Sequence, residues 1–303
     1  NLVSMVDGLQ LSFAELKKGE ILLPKYRALY LDSLSKVDGV NYFHKDNEFK
    51  NLVRNMKSIE DGDYVVPSSL ENIMREYQKS GYRWLRTLDE NGFGGILADD
   101  MGLGKTLQVI AFLMAKMQED CDTVEGDVTS FLNRRTLIVC PASLVYNWDS
   151  ELEKFAPGLN RVTVIGDALC RKEIIQNAGK RDILITSYDL LKRDIDYYEG
   201  VDFFCEIIDE AQYIKNHVTQ AAKSVKLIKA GTRFALTGTP MENRLSELWS
   251  IFDFINKGYL GSANEFQDKY AFEIEKLGHT NAAQRLQLVT SPFILRRLKT
   301  DKK

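Results

Sequence analysis

Residues Gly95-Ile96-Leu97-Ala98-Asp99-Asp100-Met101-Gly102-Leu103-Gly104-Lys105-Thr106 decide the fold. A short apolar run ends in an acidic pair, a glycine-spaced turn follows, and Leu107-Gln108-Val109-Ile110-Ala111-Phe112-Leu113 continues as a helix. Strand, glycine loop and helix in that order make a cradle for polyphosphate. Glycines let the backbone come close, and a helix N-terminus aims N–H groups and positive dipole at the anion. Asp100, Met101, Gly102, Leu103 and Gly104 would then wrap the phosphates, Lys105 would reach the β and γ phosphates, and Thr106 would offer its hydroxyl to Mg2+. The strict spacing GxxxxGK[ST] puts glycine where Asp99 stands, so the loop by itself leaves a chance glycine turn open.

Two further stretches complete the pattern. Ile207-Ile208-Asp209-Glu210-Ala211-Gln212 ends another apolar run. In a parallel sheet both it and the glycine loop open at the carboxyl edge, where ligands bind. Asp209 can hold Mg2+ and Glu210 can polarise the water that attacks a γ-phosphate. Alone, such an acidic pair is as readily a helix cap; after a glycine loop, it points to nucleotide binding. Thr237-Gly238-Thr239-Pro240 closes a third run. Gly and Pro there enforce a turn, and the hydroxyls of Thr237 and Thr239 suit a segment that senses phosphate state.

Outward from these motifs, short apolar runs alternate with helical stretches: Thr136–Cys140, Val162–Ile165, Ile183–Thr186 and Phe203–Ile208. This predicts an α/β fold, a doubly wound parallel sheet with helices on both faces. Three units are expected: a small accessory unit over 1–67, a nucleotide-binding lobe over 68–256, and over 257–303 a helical extension and linker toward a second lobe. Ser68 is placed to cap the first helix of the lobe, and the acidic stretch from Gln118 to Arg134 reads as a solvated insertion. Leu245, Leu248, Trp249, Phe252 and Ile255 form one apolar helix face.

Composition sets the limits. The 303 residues carry 40 Lys+Arg against 43 Asp+Glu, a net charge of −3, so any nucleic-acid contact must be a local patch. Four cysteines without a CxxC pair and three histidines encode neither a zinc site nor a disulfide framework, which points to a reducing, intracellular compartment. No run of about 18 apolar residues suggests a membrane span.

The stretch Ile96 to Thr106 resembles, almost letter for letter, the phosphate loop of Swi/Snf-type ATPases of helicase superfamily two, in which Asp99 is normal. The resemblance covers residues 68 to 301 and implies a RecA-like first lobe that uses ATP and Mg2+ and moves along duplex DNA without separating the strands. Arg75-Glu76-Tyr77-Gln78 resembles the family's adenine-reading segment, which assigns Gln78 to the base. Val139 to Trp148 and Ile185 to Tyr188 resemble the segments that touch the nucleic-acid backbone, implying contacts from Pro141, Ser143, Trp148, Ser187 and Tyr188; Lys215 and Asn216 match a further segment. Gln212, where many members carry His, and Thr237 and Thr239 take coupling roles by the same resemblance.

The family's motor has a second RecA-like lobe whose arginines stabilise the transferring phosphoryl group. The present chain is therefore expected to be half a motor, hydrolysing ATP weakly alone. Residues 1–67 resemble an accessory region of bacterial members, which would place the protein in the cytoplasm or nucleoid. Two rival readings are an RNA helicase lobe of the same superfamily and a nucleotide- or partner-binding module without turnover.

Overall fold

The structure, a computed structural model, describes residues 28, 31–32, 46–57, 64–122, 133–238, 245–278 and 280–301. Among them seven parallel strands form one sheet in the order β3-β4-β2-β5-β6-β1-β7. In chain order these are β1 (Gly95–Leu97), β2 (Thr136–Cys140), β3 (Arg161–Thr163), β4 (Ile183–Ser187), β5 (Asp202–Ile208), β6 (Lys229–Leu236) and β7 (Ile294–Leu295). Every residue of β1, β2 and β4 is buried, as expected of strands covered by helices on both faces.

The helices are α1 (Asn47–Lys57), α2 (Glu76–Glu90), α3 (Lys105–Asp122), α4 (Val145–Phe155), α5 (Ala168–Gln176), α6 (Tyr188–Asp194), α7 (Gln220–Leu227) and α8 (Leu245–Ile255). Short side chains start several of them. Asp167, Ser187 and Thr219 accept from the backbone N–H three residues on and begin α5, α6 and α7. On α8 the expected apolar face is present, with Leu248, Trp249, Phe252 and Ile255 buried.

Three expectations are corrected. Ser68 caps no helix: residues 68–73 form turns, and α2 begins at Glu76, where the Arg75 N–H donates to Gln78 Oε1 at 2.9 Å. The acidic stretch after Gln118 begins inside α3, where Glu119 pairs with Lys116 at 2.9 Å and with Arg86; residues 123–132 lie outside the described part. The segment expected to be a helical extension does contain α9 (Ala263–Phe266), a π-helical stretch (Gln267–Ala271), α10 (Phe272–Glu275) and α11 (Thr280–Thr290), but it then returns to the sheet as β7. Ile96 and Leu97 pair there with Ile294 and Leu295. Phe293 is fully buried against Phe93, Phe252 and Tyr259, so this segment shares the lobe's core.

Candidate functional site

The carboxyl ends of β1, β6 and β5 lie side by side, and each delivers one sequence motif. From β1 the chain enters a turn with Gly102 at φ +82° and Gly104 at φ +76°, a region in which side chains with a Cβ are strained. A Cβ on Gly104 would lie 2.3 Å from Gln78 Nε2. Helix α3 starts directly after this turn, so its first N–H groups face the space over the loop.

Gln78 is buried at the start of α2, where its Nε2 donates to the Leu103 carbonyl at 3.1 Å. The adenine-reading candidate is thus tied to the phosphate loop itself. Lys105 donates from Nζ to the Asp99 carbonyl at 2.7 Å, spanning the base of the loop. Burial pushes the Lys105 ammonium below its ordinary range, against the pull of Asp209, Asp99, Glu210 and Asp100. Thr106 is half-buried, Leu103 buried and Met101 68% exposed, with Met101 projecting from the loop.

Asp99 stands where the strict motif has glycine, and its side chain is fully buried. It accepts from Gln108 Nε2 at 3.1 Å, from the Arg297 N–H at 3.1 Å, from Arg297 Nε at 2.9 Å and from Arg297 Nη2. A buried carboxylate requires such a counter-charge. The family resemblance extends to Phe293 to Arg297 but gives Arg297 no role, and sequence reasoning missed it as the source of this charge. The available signal was an acid in a buried loop together with a basic pair, Arg296-Arg297, after the apolar run Phe293-Ile294-Leu295.

At the end of β5, Asp209 is held by two aromatic side chains. Trp148 of α4 donates its indole N–H to Asp209 Oδ2 at 3.0 Å, and the Tyr188 hydroxyl donates to the Asp209 carbonyl at 2.7 Å. The Glu210 N–H donates to Asp209 Oδ1 at 2.9 Å. Burial raises the Asp209 carboxyl above its ordinary range, and the two N–H donors pull it back. Glu210 has φ +52°, the one non-glycine residue with positive φ among the described residues. Such a conformation in a non-glycine residue is held by its surroundings and is common at functional positions. Glu210 Oε2 accepts from Gln212 Nε2 at 2.7 Å, and Gln212 Oε1 accepts from the Thr237 hydroxyl at 3.2 Å. A chain of hydrogen bonds therefore joins the end of β5 to the end of β6.

The expected nucleic-acid set divides in two. Ser143 and Asn216 are exposed, and Pro141 and Lys215 are half-buried, with Lys215 Nζ 3.8 Å from Glu247. Trp148, Ser187 and Tyr188 are corrections: they are 0%, 3% and 4% exposed, so a polymer has no access to their side chains. Trp148 and Tyr188 spend their polar atoms on Asp209, and Ser187 caps α6. The exposed aromatics beside this edge are Tyr146 and Tyr213, and the Tyr213 ring stacks on Tyr188 at 5.0 Å between centroids. Thr239 lies outside the described residues.

The residues present fit a magnesium nucleotide. A glycine loop in which Gln78 closes the Cβ position of Gly104 gives phosphate oxygens backbone N–H partners, and Thr106 and Asp209 are the hard oxygen donors that Mg2+ prefers.

Fold and site define a phosphate-loop, RecA-like nucleotide-binding lobe. Residues 77–303 match the SNF2-related domain and residues 1–67 match the bacterial SNF2 helicase-associated family. The chain belongs to the SNF2-related family. A Mycoplasma genitalium protein named as an ATP-dependent helicase is 43% identical over 228 residues, covering 75% of this chain and 21% of that protein. A Bacillus subtilis protein named as an ATP-dependent helicase/translocase is 38% identical over 261 residues, covering 86% of this chain and 27% of that protein. Among solved structures, the Sulfolobus solfataricus SWI2/SNF2 ATPase core in complex with dsDNA aligns with a TM-score of 0.67 at 42% identity, covering 79% of this chain and 47% of that one. The chain thus spans between about a fifth and just over a quarter of the length of these curated relatives.

Proposed function

We propose that this chain is the first lobe of an ATP-driven translocase acting on duplex DNA. The observation that carries the reading is the placement of the glycine loop, Asp209-Glu210 and Thr237 on three adjacent strand ends, with Gln212 joining the last two. A solved relative with 42% identity is an ATPase core bound to dsDNA, which supports duplex DNA as the polymer.

In this mechanism Gln78 orients adenine, and Gly102, Leu103, Gly104 and Lys105 hold the phosphates. Thr106 and Asp209 would hold Mg2+, which when bound neutralises charge on the phosphates. Glu210 takes the proton side of the attacking water, and its reach is set by Gln212. Gln212 and Thr237 carry the state of the site along the sheet edge. Pro141, Ser143, Lys215 and Asn216 line the edge offered to the DNA backbone, whose phosphates position a protein without reading sequence. A second lobe would supply the finger-type arginines, worth about 10³–10⁵ in rate.

The test is steady-state ATP hydrolysis by the full-length protein with no nucleic acid, with duplex DNA and with single-stranded RNA, using Lys105→Ala as the blank. Duplex-stimulated turnover is expected. Stimulation by RNA alone would transfer the protein to the helicase reading, and blank-level turnover in every arm would reduce it to a binding module.

A further inference from the structure

β7 contains two residues, yet the segment that carries it is fastened to the phosphate loop at every step. Ala98 N–H donates to the Leu295 carbonyl at 2.7 Å, Asp100 N–H to the Arg297 carbonyl at 3.0 Å, and Lys299 N–H to the Asp100 carboxylate at 3.0 Å. Arg297 stands at the centre. Its side chain is 16% exposed and reaches three parts of the nucleotide site at once. Nε and Nη2 engage Asp99 at the base of the loop, Nη1 donates to the Tyr77 carbonyl beside Gln78, and Nη2 also donates to Gln108 Oε1 at 2.7 Å in the first turns of α3. The guanidinium lies over the Tyr77 ring at 5.3 Å.

The packing around it is closed. A Cβ on Gly81 of α2 would lie 1.7 Å from Gln108 Oε1 and 2.8 Å from Arg297 Nη2, so α2 approaches this cluster as nearly as its backbone permits. A planar fork with several fixed donors holds a carboxylate, a carbonyl and an amide in one set geometry, which the compact ammonium of a flexible lysine does not fix.

We propose that Arg297 is a positioning residue for the nucleotide: it sets the base of the phosphate loop and the adenine segment relative to one another. Nucleotide affinity therefore depends on the seating of residues 294–299 against β1, and any partner or movement that lifts this edge strand loosens the site. The proposal rests on the ATP-binding reading but concerns a residue outside the nucleotide contacts that reading assigns.

The test uses the full-length protein and Arg297→Lys, with Arg171→Lys as comparator. Arg171 makes a similarly buried two-point pair with Asp194, at 2.6 and 2.8 Å, between α5 and α6 and away from the site. Two quantities are read: binding of a fluorescent ATP analogue, and amide hydrogen exchange over Asp100 to Thr106 without nucleotide. Arg297→Lys is expected to weaken binding by roughly 10–100-fold and to speed exchange in the loop, as a small misplacement of a positioned group does. Arg171→Lys should lower the melting temperature and leave both quantities unchanged. Native loop exchange in Arg297→Lys overturns the proposal whether or not the analogue binds, whereas a native protein that fails to bind the analogue refutes the ATP reading alone. Asp99→Asn, which keeps the shape and removes the charge, is read the same way if Arg297→Lys does not fold.

Discussion

Trp148 donates its indole N–H to the carboxylate of Asp209 across 3.0 Å, from a position with no solvent exposure. The acid proposed for Mg2+ is thus oriented by helix α4, whose preceding turn carries Ser143, one of the residues proposed to face DNA. A bond between a neutral donor and a charged acceptor contributes about 1.5–3 kcal/mol. Trp148→Phe keeps an aromatic ring and deletes the donor. The expected result is a raised Mg2+ requirement for ATP hydrolysis with near-native DNA affinity, read by Mg2+ titration of turnover beside a DNA-binding isotherm. A large loss of DNA affinity at native Mg2+ dependence would restore Trp148 to the nucleic-acid surface.

Gln212 sits between Glu210 and Thr237, with one amide atom on each. Gln212→Leu has a similar length and breaks both bonds. Because the side chain touches no phosphate-loop residue in these hydrogen bonds, KM for ATP should stay within about two-fold while kcat falls about ten-fold, a difference of about 1.4 kcal/mol in transition-state stabilisation. Steady-state kinetics with saturating duplex DNA measure the split. A raised KM with unchanged kcat would place Gln212 in ground-state binding instead.

Much of this was legible in the sequence because strand, loop and helix each follow local rules. The apolar runs at Gly95, Thr136, Ile183 and Phe203 became β1, β2, β4 and β5, with ends shifted by a residue or two. Trp148 and Tyr188 were misassigned because a motif shows which segment approaches a ligand but not which way each side chain turns. On α4 the exposed face holds Tyr146 and Asn147, while the next residue, Trp148, turns inward. β7 was missed for another reason. Two residues are too few to show a period, and the partners that hold Ile294 and Leu295 in the sheet, β1 and the Asp99 carboxylate that takes Arg297, lie about two hundred positions away in sequence.

Lys105 reaches the Asp99 carbonyl at 2.7 Å, and burial weakens its hold on a proton while four nearby carboxylates strengthen it. Lys105→Ala removes the preorganised cation from the site. Loss of one such donor costs about 2.7–4 kcal/mol, or roughly 10²–10³ in turnover. The full-length variant should retain its fold by circular dichroism and lose hydrolysis. Near-normal turnover would remove Lys105 from the phosphate site.

Glu206 in β5 is fully buried, with Arg233 Nε donating to Oε2 at 3.1 Å and Oε1 without a hydrogen-bond partner. Burial raises its carboxyl from the ordinary 4.5 to about 8, and Arg233 offsets part of that rise. Below about 4.5 both folded and unfolded chains hold the proton, and the folded state keeps its full stability. Between that point and about 8 only the unfolded chain releases it, so stability falls as pH rises, by at most about 1.4 kcal/mol per pH unit. Glu206→Gln removes this slope and retains an acceptor for Arg233. The melting temperature of the variant, relative to the native protein, should climb between pH 5 and pH 8.5, as measured by calorimetry at several pH values across that range. Parallel pH profiles for the two proteins would mean that Glu206 is already ionised in the folded state at neutral pH, with Arg233 balancing its charge.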